Sequence, residues 1–307
     1  MTTQLPRAAP WPRPLTVLVS AMAALAVVSA VGVLADPRVL SGGPIWLKPF
    51  KFSVSLALYG ATLAWMLSHL PRRSRVVEWS ATVVVAMALV EMLVIVVQVL
   101  RGTASHFNVT TPLDAALWRV MGAAITVLFA AHVVIAIVLL RRPTTDRVTT
   151  YAVGLGLGLS LLGMLVAFPM VRSRPTADGI TGAHSVGVPD GGPGLPLVGW
   201  NTTGGDLRIG HFVGLHAMQL LPVLAILLTR FLGSWLDERT HVRLLVVGGA
   251  AYGGLILLLT WQALRGQPLL RPDLSTVAAG VALLAATATA TSLVVARRRS
   301  PELAAAV

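Results

Sequence analysis

The chain has 307 residues, of which 55% are hydrophobic and 12% are charged, and its mean hydropathy is +0.78. Soluble domains carry about 25% charged residues, so this composition excludes a soluble globular protein and predicts a membrane protein. The formal charge is +12, but the arginines lie in short clusters between apolar stretches, which indicates loop charges and argues against nucleic-acid binding. The absence of cysteine excludes disulfides and thiolate metal sites.

Eight stretches are long and apolar enough to cross a hydrocarbon core of about 30 Å, which takes about 20 helical residues. The predicted fold class is therefore all-α, a polytopic transmembrane helical bundle. The predicted spans are residues 15–35, 52–70, 76–100, 115–140, 149–171, 209–232, 244–264 and 274–296. They form one transmembrane domain over residues 15–299, with a cytoplasmic head at residues 1–14 and a cytoplasmic tail at residues 300–307.

The first span follows a Pro-rich segment that contains Arg7 and Arg13, and a cleaved signal peptide would also begin in this way. Its apolar part is longer than the roughly 7–15 residues of a signal peptide, so we expect a retained membrane anchor. Cleavage after Ala35 is the alternative.

The arginines predict the orientation of the bundle, because cytoplasmic loops carry an excess of Lys and Arg. Clusters follow spans two, four, six and eight, on the same side as Arg7 and Arg13, so both termini are expected in the cytoplasm. An Arg-, Ala-, Val- and Gly-rich composition also fits a bacterial plasma-membrane protein. The clusters contain Arg72, Arg73 and Arg75, then Arg141, Arg142 and Arg147, then Arg239 and Arg243, and finally Arg297, Arg298 and Arg299.

The connector between spans five and six, residues 172–208, is long and rich in Gly and Pro. Loops of this length are uncommon in compact domains unless they are disordered or functional. The connector is therefore either a flexible tether or a lid, and four apolar residues favour a lid that folds back onto the bundle. These residues are Leu195, Leu197, Val198 and Trp200.

Small residues are concentrated in span five, where they predict close helix packing. Glycine lets two membrane helices approach until their backbones are in contact. The glycines are Gly154, Gly156, Gly158 and Gly163.

Spans three and seven end alike, which predicts an internal repeat. Span three ends in Gln98-Val-Leu-Arg101-Gly102, and span seven ends in Gln262-Ala-Leu-Arg265-Gly266. Because four spans separate the two copies, both have the same orientation, and the repeat would be a parallel four-plus-four repeat. Two unrelated helices that end alike at the membrane interface are the alternative.

Ionisable residues inside a membrane cost about 2.5 kcal/mol or more unless they are paired or hydrated, so each one needs a reason. Glu91 is predicted near the middle of span three, with Gln98 two turns along on the same face. His216 and Gln219 share a face of span six, whereas His211 lies about 140° from His216 around a regular helix.

Polar residues of spans three, four, six and seven and their connectors map to the outer half of the protein. We expect an outward-opening pocket that binds or transports a small polar or anionic solute. The arginines of this set would attract the solute, its glutamines would orient it, and Glu91 would couple a proton. The predicted binding residues are Glu91, Gln98, Arg101, His106, Asp114, Arg119, His211, His216, Gln219, Gln262 and Arg265, with Asn108 beside them.

Two other classes of function stay open. A haem- or metal-dependent membrane enzyme would use His106, His211 and His216 as ligands, although zinc-binding histidines on one helix are usually four residues apart. A haem between two helices also needs histidines at matching depths, and His69 and His132 match poorly. An assembly protein whose outer connector meets a periplasmic partner is the third class.

Overall fold

The computed structural model describes residues 11–70, 74–141, 146–172 and 179–297. Several predicted features fall outside these residues, namely most of the head, the tail at residues 300–307, and six of the clustered arginines. Those arginines are Arg7, Arg72, Arg73, Arg142, Arg298 and Arg299. The described chain is all-helical apart from two short β-ribbons.

Seven helices of the described chain are long and apolar enough to cross a membrane, and the shorter pair α7 and α8 passes the same test together. In that test α5 and α6 count as one helix. In chain order the helices are α1 (Arg13–Ala35), α2 (Leu47–Ser68), α3 (Arg75–Arg101), α4 (Pro112–Arg141), α5 (Arg147–Leu165), α6 (Phe168–Val171), α7 (Arg208–Leu215), α8 (Ala217–Leu232), α9 (Glu238–Leu264) and α10 (Leu274–Ala296).

Two helices begin about one and a half turns before the predicted spans. Helix α2 begins at Leu47 because Pro49 falls in the first turn, where a backbone N–H has no helical partner to lose. Helix α9 begins at Glu238 because the Asp237 carboxylate caps it by accepting the backbone amide of Thr240, 3.0 Å away. The charged residues before the predicted seventh span are therefore helical.

The predicted sixth span is a bent pair of helices, so the expectation of one regular helix is wrong here. Helices α7 and α8 meet at His216 and are bent by 46°. The bend lies between Gly214 and Pro222, and a proline ring clashes with the helical turn before it. As a result, the side chains before and after His216 follow different helix axes.

Two antiparallel ribbons precede the second and the sixth spans. Strand β1 (Val39–Leu40) pairs with β2 (Gly43–Pro44), shortly before α2 begins. Strand β3 (Ser185–Val186) pairs with β4 (Gly205–Asp206), shortly before α7 begins. Backbone hydrogen bonds thereby hold the segments of chain that lead into α2 and α7.

The helices pack in two groups. In the first, α1 packs along α2, α3 packs along α4, and both α1 and α2 contact α3. In the second, α5 packs along α7 and α8, α9 packs along α10, and α5, α7 and α8 contact α9. The two groups meet mainly between α4 and α5, with a smaller contact between α2 and α8.

Helix α5 crosses α7 with the two backbones in contact. A Cβ atom on Gly163 would lie 2.5 Å from the carbonyl carbon of Gly214, closer than real Cβ atoms come. Gly156 lies in the same way against the backbone of α8. The packing role predicted for the glycines of span five is confirmed at these two positions, whereas Gly158 has no neighbour within 4 Å.

Candidate functional site

The predicted binding residues belong to several separate groups of contacts. Gln98, Arg101 and Asp114 form one group, and Gln262 and Arg265 form another at the end of α9. The hydrogen bonds within each group decide which side chains have free capacity for a ligand.

The Asp114 carboxylate uses its oxygens to tie the end of α3 to the start of α4. Its Oδ1 accepts from Gln98 Nε2 at 2.9 Å and from Arg101 Nη1 at 2.6 Å. Its Oδ2 accepts from the hydroxyls of Thr110 and Thr111 at 3.1 Å and 2.6 Å. Asp114 is 2% exposed, so these bonds offset the cost of burying a charge. The group is a structural cap.

The end of α9 carries a similar cap. Gln262 donates to the carbonyl of Pro268 at 2.8 Å, as Gln98 donates to the carbonyl six residues later. Arg265 pairs with Asp273, the N-cap residue of α10, through a 3.1 Å bond from Nη1 to Oδ1. Glycines in the left-handed conformation follow both arginines, with φ of 74° at residue 102 and 73° at residue 266. Both caps engage residues that were predicted to contact a solute.

Three further predicted residues also have partners. Gln219 accepts from His216, 3.4 Å away, and donates to Thr62 of α2 at 2.9 Å, which ties α8 to the first group of helices. Arg119 donates to the carbonyl of Ala115 on its own helix. These side chains form contacts within or between helices, and they do not face a common binding site.

Glu91 and His106 form the core of a different group. Glu91 is 8% exposed on α3, and its Oε1 lies 3.7 Å from Nε2 of His106, which is longer than a hydrogen bond. Its Oε2 is buried and has no hydrogen-bond partner among the described residues. Lys48, in the first turn of α2, is an electrostatic neighbour of Glu91 but forms no salt bridge with it. A buried carboxylate is thus left with an unused acceptor.

Aromatic rings surround His106. The centroids of Phe52, Trp118 and Phe107 lie 5.8, 5.6 and 6.0 Å from the centroid of the imidazole. The Lys48 ammonium lies 5.9 Å from the Phe52 centroid, within the range of a cation–π contact. Burial, followed by the positive charge of Lys48, lowers the pKa of His106 well below its ordinary value, so its ring is neutral at pH 7.

The long connector folds over this region and is anchored by backbone hydrogen bonds. The amide of Val109 donates to the carbonyl of Gly179, and the amide of Thr181 donates to that of Phe107, both at 2.8 Å. Of the four apolar residues expected to fold back onto the bundle, Leu195 and Trp200 are half-buried, whereas Leu197 and Val198 are exposed, Leu197 to 80%. The described part of the connector is held by these main-chain contacts.

The connector brings His184 beside the same rings. Its imidazole lies 5.0 Å from the ring of Phe107, a residue with φ of 60° in the left-handed region. Nδ1 of His184 is 2.9 Å from Oδ2 of Asp190. Burial would raise the pKa of Asp190, but hydrogen bonds from His184 and Ser185 lower it below its ordinary value. Burial lowers the pKa of His184, which keeps its ring neutral, and the ionised carboxylate only accepts. Nδ1 of His184 therefore carries the proton and Nε2 keeps its lone pair.

His211 has the same arrangement of ring nitrogens. Its Nδ1 lies 2.8 Å from the carbonyl oxygen of Gly163, which can only accept. The neutral ring therefore keeps an unprotonated Nε2. His211 is an electrostatic neighbour of both His106 and His184. We call the group of Lys48, Glu91, His106, His184 and His211 the outer cluster.

A second histidine group lies buried between α2, α4 and α5. The Tyr59 hydroxyl donates to Nδ1 of His132 at 2.8 Å, and Nε2 of His132 donates to Oγ of Ser160 at 3.0 Å. The Ser160 hydroxyl in turn donates to the carbonyl of Leu157 at 2.8 Å. One tautomer of a neutral ring satisfies every atom of this chain of bonds. We call it the inner network.

Sequence reasoning missed Lys48 and His184 as members of the outer cluster. Lys48 lies before the predicted start of the second span at residue 52, whereas the helix begins at Leu47. His184 lies in the long connector, where no periodicity indicates its position. Tyr59 and Ser160 are uncharged, so no signal in the sequence singles them out as partners of His132.

The predicted metal ligands do not converge. His211 faces Gly163, whereas His216 faces Gln219 across the bend. Within the described ranges, no group of three or more His, Asp or Glu side chains is placed to hold a metal ion. Comparison of the chain with protein-family models, with curated proteins and with solved structures finds no match.

Proposed function

We propose that the protein crosses the plasma membrane of a bacterium eight times, with both termini in the cytoplasm. Counting α7 and α8 as one bent span adds an eighth to the seven candidate helices of the described chain. An even number of spans leaves both termini on one side, and the arginine clusters on that side support the cytoplasm.

Because the chain lacks cysteine, single introduced thiols test this orientation. Leu197 and Trp235 are 80% and 68% exposed and lie on opposite sides in the proposed orientation. A thiol reagent that cannot cross membranes should label Leu197→Cys in intact cells and label Trp235→Cys only after lysis. The reverse pattern would refute the orientation.

We infer further that the spans form two parallel halves of four, α1 to α4 and α5 to α10. Three features support this repeat. Equivalent pairs of spans pack together in both groups of helices. A β-ribbon precedes the second span of each half. The third span of each half ends in a Gln–Arg–Gly cap that pairs with an Asp at the start of the fourth.

The function that we propose is the binding of a small polar solute, entering from the outer face, by the outer cluster. The observation that carries this proposal is the buried Oε2 of Glu91, which has no partner in the described chain. An unsatisfied buried acceptor costs about 1–3 kcal/mol, and more when it is charged, so a ligand that donates to it gains that free energy. A purely structural carboxylate would be satisfied, as Asp114 is.

The groups of the outer cluster indicate the chemistry of the solute. Lys48 offers donors, whereas Glu91 Oε2 and the Nε2 atoms of His184 and His211 offer acceptors. The solute should therefore carry an acceptor, such as a carboxylate or carbonyl, and a donor, such as an ammonium, amide or hydroxyl group. Of the arginines predicted to attract it, Arg101 and Arg265 are engaged in the two caps, and Arg119 donates to a carbonyl of its own helix, so Lys48 takes that role.

The position of the outer cluster supports transport as the use of this binding. Lys48, Glu91 and His106 come from the first proposed half, and His184 and His211 come from the second. His211 also lies on the bent pair α7–α8. Secondary transporters bind their substrates between structural repeats and next to broken helices.

A thermal-shift series on the purified protein tests the binding proposal. The probes are glycine, acetate, methylammonium and phosphate, which separate a zwitterion from an anion and a cation. We expect glycine to raise the unfolding temperature most, because it carries both an acceptor and a donor. A ligand at 100 times its Kd stabilises the folded protein by about 2.7 kcal/mol. Lys48→Met and Glu91→Gln should abolish the shift, whereas Glu78→Gln, an exposed change on the same helix, should keep it. Equal responses of the wild type and Glu91→Gln would refute the site.

A haem-dependent membrane enzyme is the second candidate, and one observation favours it. His184 and His211 each donate from Nδ1 to an oxygen and leave Nε2 bare, which is how metal-ligating histidines are usually oriented. Two axial histidines suffice for a haem iron, so the lack of a three-residue metal group does not argue against it. A Soret band that His211→Ala removes would favour this candidate, and a featureless spectrum would eliminate it.

A further inference from the structure

A groove lined by arginines lies at the membrane face where α5 and α9 begin, at the other end of α5 from the contact between Gly163 and His211. It encloses a cavity of about 670 Å³ between α5, α9 and α10. Its lining includes Arg147 and Tyr151 from α5, Arg239 and Arg243 from α9, and Val294 from α10. We call it the basic groove.

The three arginines of the basic groove have unused hydrogen-bonding capacity. Within the described part of the chain, Arg147, Arg239 and Arg243 have neither a hydrogen bond nor an ion pair from their guanidinium groups. The nearby carboxylates of Asp146 and Asp237 accept backbone amides in the first turns of α5 and α9. Arg243 interacts with Asp237 electrostatically without a salt bridge. The side chains that line the groove therefore carry three positive charges and no negative charge.

The remainder of the groove is aliphatic. Val242, Val246 and Val247 of α9 line it together with Val294 of α10. A second cavity of about 390 Å³, between α8, α9 and α10, shares Val247 as a wall and is otherwise lined mainly by leucines and other apolar side chains. A cationic rim thus adjoins apolar surface at the level where a membrane helix begins.

We propose that the basic groove binds the headgroup of an anionic phospholipid, with an acyl chain along the valines. Guanidinium groups donate in pairs to phosphate oxygens, and Tyr151 offers a further hydroxyl donor. Basic pockets between membrane helices on the cytoplasmic side, where the proposed orientation places this groove, have this preference in general. A free inorganic anion would gain binding free energy only from the arginines. A lipid would gain it from the arginines and from the valines. This proposal does not depend on the outer cluster.

The test is a lipid titration of the purified full chain in detergent. Three probes are compared, namely phosphatidylglycerol, phosphatidylcholine with the same acyl chains, and inorganic phosphate. Binding is followed by native mass spectrometry and by the unfolding temperature. We expect phosphatidylglycerol to bind and to raise the unfolding temperature, with little response to the other two probes.

Variants identify the groove as the site. The triple variant Arg147→Gln, Arg239→Gln, Arg243→Gln should bind phosphatidylglycerol about a hundredfold more weakly. The corresponding triple lysine variant keeps the charge but loses the paired donors, so it should bind more weakly than the wild type and more tightly than the glutamine variant. The matched control is Arg75→Gln, Arg141→Gln, Arg230→Gln, which removes three arginines of the same face that line neither cavity.

Each other outcome overturns the proposal. An equal effect of inorganic phosphate would identify an anion site without lipid specificity. An equal effect of phosphatidylcholine would identify a site for acyl chains alone. A hundredfold loss in the control triple variant would show that the charge of the whole face, rather than the groove, attracts the lipid.

Discussion

The outer cluster and the inner network both place histidine between packed helices, but they differ in how fully their hydrogen-bonding capacity is used. In the inner network, the donors and acceptors of Tyr59, His132 and Ser160 are matched one to one. In the outer cluster, Glu91 Oε2 has no partner in the described structure, and Glu91 and His106 are 3.7 Å apart. Burial is common to both, so burial alone does not identify a binding site.

We propose that this difference distinguishes polar groups that stabilise the fold from polar groups that bind a ligand. A satisfied buried network specifies how helices pack and loses stability when one member is removed. A buried polar group without a partner destabilises the ligand-free protein, and a ligand that bonds to it removes this cost. We therefore expect substitutions in the two regions to act in opposite ways, and the following measurements test that contrast.

The largest loss of stability is expected from His132→Ala. The change leaves the Tyr59 hydroxyl without its acceptor, removes the donor to Ser160, and opens a cavity at a residue that is 0% exposed. We expect a loss of about 3–4 kcal/mol in the free energy of unfolding, measured in detergent. Tyr59→Phe, which removes a single donor, should cost about 1 kcal/mol. Equal losses from the two changes would contradict the network.

The two caps should differ in strength although their design is alike. Asp114 is 2% exposed, whereas the side chain of Asp273 is 42% exposed. Asp114→Ala leaves Gln98 and Arg101 without their shared acceptor, so we expect a loss of about 3 kcal/mol. Asp273→Ala removes an N-cap and a surface ion pair, which should cost about 1 kcal/mol. Unfolding titrations of both variants test this order, and an inverted order would contradict it.

The crossing of α5 and α7 provides a pair of matched glycine substitutions. Gly163→Ala places a methyl group against the backbone of Gly214 and displaces the carbonyl that fixes His211, so it should cost about 1–3 kcal/mol. Gly158→Ala, on the same helix, meets open space and should be neutral or slightly stabilising. Thermal melting of the two variants checks the crossing, which would be excluded if both melted alike.

Lowering the pH should reduce the free energy of unfolding, because the outer cluster contains histidines that are neutral in the folded protein. Burial lowers the pKa of His106 and of His184, whereas the unfolded rings titrate near about 6.5. Below that pH the unfolded chain binds protons that the folded chain does not, so stability falls as the pH falls. The slope should not exceed about 1.4 kcal/mol per pH unit for each ring. His106→Phe should flatten the profile between pH 7.5 and 5.5, and an unchanged profile would refute this origin.

The sequence predicts the helices well because length and hydropathy decide them. Seven helices of the described chain are long and apolar enough to cross a membrane, and they lie where spans were predicted. The bend at His216 escaped prediction because Pro222, inside the predicted sixth span, was not used as a signal of a kink. The early start of α9 escaped because the cap at Asp237 extends the helix into charged residues.

The candidate site was predictable only in part. Glu91, His106 and His211 stand out as costly polar residues near one face, and all three belong to the outer cluster. Their polar neighbours could not be sorted by sequence, because Gln98 and Arg101 are satisfied by Asp114 only through the geometry of the loop. Whether a polar group keeps a free acceptor depends on the direction of its side chain and of its neighbours. The periodicity of the sequence does not predict these directions.

The most direct test of the central claim is the stability of Glu91→Gln beside that of His132→Ala. Because the Glu91 carboxylate is buried without a full set of partners, replacing it with a neutral amide of the same shape should leave the free energy of unfolding unchanged within about 1 kcal/mol, or raise it. The same variant should lose the solute-induced thermal shift. A loss as large as that of His132→Ala would show that Glu91 is structural and would contradict the account of a binding site.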